Sequence, residues 1–145
     1  DRGWTVSSAE SCTGGGVAFA FTSVAGSSDW FNQSWVTYSN DAKRSVLGVT
    51  EQTLKEYGAV SKQTVKEMAE GVRRNSGAQL VVTVSGIAGP GGGSEEKPVG
   101  TVWFGFFWVV HDVPIKQVFS GNRDEVRQHA ISFAITQLIK MLSEN

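Results

Sequence analysis

The chain has 145 residues, 40% of them hydrophobic and 19% charged, and thirteen basic against fourteen acidic side chains leave a formal net charge of −1. This is the make-up of one globular domain spanning residues 1–145, able to bury roughly 68% of the surface its unfolded form would expose; no apolar run approaches the about 18 residues of a membrane span, and no basic block marks a nucleic-acid-binding face. A single cysteine, Cys12, excludes an internal disulfide, and without a hydrophobic signal segment the sequence reads as a soluble cytoplasmic protein.

Trp4–Ala9 alternates as a short strand, and Ser11-Cys12-Thr13 followed by Gly14-Gly15-Gly16 leads into the apolar Val17–Phe21, a pattern of strand, tight turn and buried helix. The Gly- and Ser-rich Val24–Asp29 predicts a loop, Trp35–Tyr38 a second strand, and Asn40 or Asp41 the cap of a short helix through Val46. Thr50–Tyr57 predicts a helix stopped by Gly58. Ser61 caps the next helix, in which Val65, Met68, Ala69 and Val72 recur at i, i+3, i+4 and i+7 as one apolar stripe ending at Gly77. Leu80–Val84 is a continuous apolar run of β-branched character, suited to a central strand covered on both faces. Ile87–Pro98 holds Gly89, Gly91, Gly92, Gly93 and two prolines, too many breakers for regular structure. Val99–Val110 and Val113–Phe119 predict antiparallel strands joined by a turn at His111-Asp112. Asn122 with Glu125 forms a capping-box pattern before an amphipathic helix carrying Val126, Ala130, Phe133, Ala134 and Leu138. With no linker or internal repeat, the alternation predicts an α/β fold, a three-layer α/β/α sandwich around a mixed sheet that includes a C-terminal antiparallel hairpin.

Four segments could carry chemistry. The turn Glu10–Gly15 sets small polar side chains and unpaired N–H groups at a strand end and helix start, which suits an anion or a developing negative charge; a capped helix whose glycines only allow close packing gives the same pattern. Its glycine spacing matches neither a P-loop nor a dinucleotide-binding fingerprint. Tyr38 and Lys43 leave a strand and enter a helix, and a desolvated Lys43 would become a base able to take a serine proton, whereas a solvated one would be inert. The loop from Ser85 through Gly86, Ala88 and Gly89 follows the expected central strand, where ligands of open α/β sheets gather. Arg123 and Arg127, at i and i+4, could clamp a phosphate or be solvated helix arginines paired with Asp124 and Glu125. Cys12 is a rival nucleophile to Ser11. No metal-ligand cluster is visible in the pattern, and no cofactor is expected.

The segments Ala9-Glu10-Ser11-Cys12-Thr13-Gly14-Gly15, Thr37-Tyr38-Ser39-Asn40-Asp41-Ala42-Lys43, Ser85-Gly86-Ile87-Ala88-Gly89-Pro90-Gly91-Gly92 and Glu95-Glu96-Lys97-Pro98-Val99-Gly100-Thr101-Val102 together resemble the nicotinamide-nucleotide amidase family, also known as the CinA C-terminal domain family. The resemblance covers almost the whole chain. It implies hydrolysis of the carboxamide of nicotinamide mononucleotide to nicotinic acid mononucleotide and ammonia. Ser11 would attack the amide carbon, Lys43 would take its proton and Tyr38 would orient or relay it, with either Lys43 or Tyr38 as the base. Backbone N–H groups near Thr13, Gly14 and Gly15 would hold the oxyanion, Ser85–Gly89 would line the pocket, and Arg123 and Arg127 would bind the nucleotide phosphate. The small-molecule nucleotide is the expected partner, with homo-oligomerisation as a family possibility. A non-catalytic nucleotide-binding module and an amidase for another small amide are the competing readings. The family usually has an amphipathic helix before the first strand; this sequence reaches its first strand within a few residues, so one sheet face is expected to be less covered.

Overall fold

The computed structural model describes residues 3–109 and 111–143. Among these residues, five strands form one mixed sheet in the order β2-β1-β3-β4-β5. β1 (Val6–Glu10), β2 (Trp35–Val36) and β3 (Leu80–Gly86) are parallel, while β4 (Thr101–Trp108) pairs antiparallel with both β3 and β5 (His111–Val118). The helices are α1 (Gly16–Thr22), α2 (Asn40–Leu47), α3 (Glu51–Tyr57), α4 (Lys62–Ser76) and α5 (Arg123–Ser143).

Side-chain alternation along β3 explains the layers. Val82 and Val84 pack with Val17 and Phe21 of α1 and Val126, Ala130 and Ala134 of α5, whereas Val81 joins Val65, Met68 and Val72 of α4 and Leu47 of α2. One strand therefore feeds two cores, and the sheet lies between two helical layers. Gly105 of β4 makes room for α4 against the sheet: a Cβ at that position would come within 2.6 Å of the Val65 carbonyl oxygen. Thr83 Oγ1 uses the same approach to donate to Val65 O at 2.8 Å.

Local signals set most helix starts. Thr50 and Ser61 cap α3 and α4 through their side-chain oxygens, and the Asn122/Glu125 box closes in both directions, each bond at 2.9 Å. Two expectations need correction. The cap of α2 is Ser39, whose hydroxyl accepts from Ala42 N, rather than Asn40 or Asp41; three adjacent residues here are good cap formers, and the backbone turns from extended to helical at the first of them. His111 and Asp112 are not the hairpin turn: both belong to β5, opposite Trp108 and Phe107. The reversal begins two residues earlier, at Val109, whose φ of 59° supplies the left-handed backbone a tight hairpin needs. Val110, the expected end of β4, lies outside the described residues.

At the end of the sheet where β1 and β3 begin, Trp4, Val6, Phe21, Trp30, Leu138 and Leu142 border an apolar cleft of about 490 Å³ between β1, α1 and α5. The opposite end, where the parallel strands finish, holds polar groups instead. Neighbours diverge there because the chain leaves β1 for β2 on one side and returns to β3 on the other, which is the kind of crevice that binds ligands in open α/β sheets. No helix among the described residues is long and apolar enough to cross a membrane.

Candidate active site

Ser11 is the first residue beyond β1. The ladder continues past the strand, with Ser11 N donating to Val84 O at 3.0 Å and Thr37 N to Glu10 O at 2.9 Å, so the serine is wedged between the ends of β2 and β3. The chain then turns sharply, with Gly14 N donating to Ser11 O and Gly16 N to Thr13 O, both at 3.0 Å. Gly14 (φ 60°) and Gly15 (φ 100°) take left-handed conformations that a β-carbon would strain. Glu10 holds this turn from beneath. Its carboxylate is fully buried and accepts from Thr13 Oγ1 at 2.6 Å, Val17 N at 2.8 Å and Ala18 N at 2.9 Å, tying the turn to the start of α1.

Lys43 reaches the serine from the first turns of α2. Its side chain is only 1% exposed, and its Nζ donates to Ser11 Oγ at 3.0 Å, Thr37 O at 3.0 Å and Tyr38 O at 2.9 Å. None of these acceptors carries a formal charge. Burial therefore lowers the amine from its usual 10.5 to about 8, with the neighbouring Cys12 acting in the opposite direction. The geometry suits both protonation states. As an ammonium, Lys43 donates to all three oxygens while Ser11 Oγ donates to Tyr38 O at 3.3 Å. As a neutral amine it keeps two N–H bonds, to the Thr37 and Tyr38 carbonyls, and presents its lone pair to Ser11 Oγ. That arrangement can remove the serine proton.

Cys12, beside Ser11, is a poor nucleophile. Burial raises its thiol to about 11, outweighing its own backbone N–H and the Arg127 charge, so it stays protonated at neutral pH.

A cavity of about 310 Å³ opens over the pair, within the range of small-molecule sites. Of the residues expected to act or bind, Ser11, Tyr38, Lys43, Ser85, Gly86, Ala88, Gly89 and Arg123 line it, and Thr13, Gly14, Gly15 and Arg127 do not. Cys12 lines it too, as do Ile87, Gly91 and Gly92 of the glycine-rich segment, and Asn40, Ala59 and Val60 line it without having been given a site role. Tyr38 meets the Ser11–Lys43 pair through its main-chain carbonyl; its phenol is 60% exposed and lies 3.4 Å from Arg123 Nη2. Arg123 Nη1 donates to Gly89 O at 2.6 Å, and Lys97 Nζ to Tyr57 O at 2.7 Å, so one cation anchors each end of the glycine-rich loop. Arg127 turns inward, and its Nε donates to Cys12 O at 3.0 Å and its Nη2 to Thr13 O at 3.5 Å. Among the described residues, no group of three or more His, Cys, Asp or Glu converges as a metal site.

The sequence profile of the CinA C-terminal domain matches residues 1–142. The chain belongs to this family. Among its CinA-family relatives, the nicotinamide-nucleotide amidohydrolase PncC of Enterobacter agglomerans is 55% identical over 145 residues, covering 99% of this chain and 88% of that protein. PncC of Escherichia coli (strain K12) is 51% identical with the same coverage. The crystal structure of competence damage-inducible protein A from Klebsiella pneumoniae superposes with a TM-score of 0.94 at 38% identity, over 98% of this chain and 88% of that one.

Proposed function

We propose that this CinA-family chain hydrolyses the carboxamide of nicotinamide mononucleotide, with Ser11 as nucleophile and Lys43 as base. The observation that carries the mechanism is the 3.0 Å contact between Ser11 Oγ and a fully buried lysine amine that has neutral partners only. The substrate follows from the two relatives above, named as nicotinamide-nucleotide amidohydrolases at 55% and 51% identity over nearly the whole chain.

In the reaction, Ser11 Oγ bonds to the carboxamide carbon as its proton passes to Lys43 Nζ, and the carbonyl oxygen becomes an oxyanion. Lys43 returns that proton to the amide nitrogen as the carbon–nitrogen bond breaks, so ammonia leaves and an ester on Ser11 remains. Water then attacks the ester, gives a proton to Lys43, and the ester bond to Ser11 Oγ breaks as that proton returns to the serine. The products are nicotinic acid mononucleotide and ammonia. Tyr38 contributes its carbonyl, which orients both Lys43 and Ser11, while Arg123 at the cavity rim is the cation that meets the phosphate. Thr13, Gly14 and Gly15 shape the turn, and its Cys12 and Thr13 N–H groups, not that of Gly14, which is spent on Ser11 O, are the donors for the oxyanion.

The test is incubation of the purified protein with nicotinamide mononucleotide, measuring ammonia and nicotinic acid mononucleotide together. Equal release of the two supports the reading. Binding without product would make the chain a nucleotide-binding module, and turnover of other amides alone would assign it a different substrate.

A further inference from the structure

Arg127 was expected to share the phosphate with Arg123, yet it is not among the cavity-lining residues and its guanidinium is already engaged. Both of its bonds go to main-chain carbonyls of the nucleophile turn, from 115 and 114 residues away in sequence. No carboxylate of the described residues lies in ion-pair range of it, so its full charge falls on two peptide units. Gly14 lets it approach, since a Cβ there would sit 3.2 Å from the Arg127 guanidinium.

The consequence follows from peptide geometry. In a trans peptide the C=O and the next N–H point in opposite directions. Ser11 O accepts from Gly14 N, Cys12 O accepts from Arg127 Nε, and Thr13 O accepts from Gly16 N as well as Arg127 Nη2. All three carbonyls of this turn are thus bound, and of the N–H groups in the same three peptide units that of Gly14 is spent on Ser11 O, which leaves those of Cys12 and Thr13 as donors. Among the described residues neither N–H has a backbone or side-chain acceptor in another residue. The N–H of the residue after a nucleophile is a recurrent oxyanion donor. A cation on the carbonyl of a peptide also polarises the N–H of that same unit, because linked hydrogen bonds reinforce one another; Arg127 on Cys12 O acts so on the Thr13 N–H, and on Thr13 O it acts on the Gly14 N–H, whose bond to Ser11 O carries the effect to the Cys12 N–H.

We propose that Arg127 is a positioning residue for the oxyanion donors of the Ser11 turn, its guanidinium polarising the Thr13 N–H directly through Cys12 O and the Cys12 N–H at one remove, through Thr13 O and the Gly14 N–H bond to Ser11 O. This rests on the Ser11 reading above and assigns the two arginines different tasks. Arg123 meets the substrate, and Arg127 acts through the turn without touching it. A lysine would supply the charge but not the planar fork that spans two carbonyls.

The experiment compares wild type with Arg127→Ala and Arg127→Lys in steady-state turnover of nicotinamide mononucleotide and nicotinamide riboside. It also measures binding of the aldehyde analogue of the mononucleotide, whose hemiacetal with Ser11 carries the oxyanion. Expected results are a fall in kcat of about ten- to a hundredfold for both substrates, with KM for each within about threefold of wild type. Aldehyde affinity should fall in step with kcat while binding of the product, nicotinic acid mononucleotide, is unchanged, and added guanidinium at non-denaturing concentration should partly restore Arg127→Ala but not Arg127→Lys. A rise in KM confined to the phosphorylated substrate would overturn the proposal in favour of phosphate binding. Lost activity that only tracks lost folded protein, with an unchanged ratio of aldehyde to product affinity, would overturn it in favour of a structural tie. Wild-type turnover in Ser11→Ala would instead show that the underlying nucleophile assignment had failed.

Discussion

Replacing Lys43 by Met tests the buried amine through stability rather than rate. The folded protein holds this group at about 8 against 10.5 in an exposed lysine, so between those values the unfolded chain binds more protons than the native one and stability rises with pH. Below about pH 8 the protein must keep an ammonium in a site that disfavours it, a penalty fully present at pH 7 and largely relieved by pH 10. The linkage relation gives a change of about 2.5 kcal/mol between those two pH values, reduced to about 2 kcal/mol for solvent reaching the amine through the cavity. Methionine has nearly the same length and no charge, so Lys43→Met lacks the pH-dependent part. It loses the bonds to Thr37 O, Tyr38 O and Ser11 Oγ, which sets a constant offset. The assay is urea denaturation of both proteins at pH 7 and pH 10, and the quantity compared is the difference between them. Wild type should gain about 2 kcal/mol on Lys43→Met over that interval; parallel behaviour at the two pH values would refute a desolvated amine.

The same amine sets the pH dependence of catalysis. With a base near 8, kcat/KM should climb about tenfold per pH unit up to roughly pH 8 and then level off; a profile already flat from pH 6 would exclude Lys43 as the base. Glu10→Gln keeps the side-chain shape but sets an NH2 against one of the three donors now bound to the carboxylate. We expect a loss of about 2 kcal/mol, read as a drop in Tm of roughly 4–8 °C by thermal denaturation, and an unchanged Tm would show that the carboxylate does not hold the turn. Arg123→Ala should raise KM for nicotinamide mononucleotide about tenfold or more relative to the riboside. Because the substitution also frees Gly89 O, the ratio between substrates is the decisive number, and equal effects on both would remove Arg123 from phosphate recognition.

What could be read in advance divides by the range of the interaction. The caps at Thr50, Ser61 and Asn122 and the stops at Gly58 and Gly77 are set within a few residues, and they were legible from spacing alone. So was the centrality of β3, because a strand covered on both faces has no polar alternation to offer. The hairpin turn was misplaced because His111 and Asp112 are polar in an apolar stretch, whereas the reversal is fixed by pairing that places Gly105 opposite Thr83 and Pro114. In the site, Ser11 and Lys43 were named from the motif, but the lowered pKa of Lys43 depends on its burial beneath neutral carbonyls brought from β2. Tyr38 was singled out for its phenol, and its carbonyl contacts the reacting pair; main-chain groups leave no mark in a residue pattern. Glu10 stood in the quoted motif with no task assigned. Its role needs the helix start folded back on the strand end, up to eight residues away. The inward turn of Arg127 is the longest-range case, since a helix spacing of four residues shows that two arginines share a side but not that one is held by the turn and the other by the loop.

The account stands or falls on the nucleophile. The most direct measurement is ammonia release from nicotinamide mononucleotide by wild type, Ser11→Ala and Cys12→Ala, with circular dichroism and melting as controls for folding. Ser11→Ala should fold and lose turnover by at least about a hundredfold, since the covalent route is gone. Cys12→Ala should retain turnover within a few fold, its thiol being held protonated by burial. Near-normal ammonia release by Ser11→Ala together with an inactive, folded Cys12→Ala would contradict the serine mechanism and move the chemistry to the thiol.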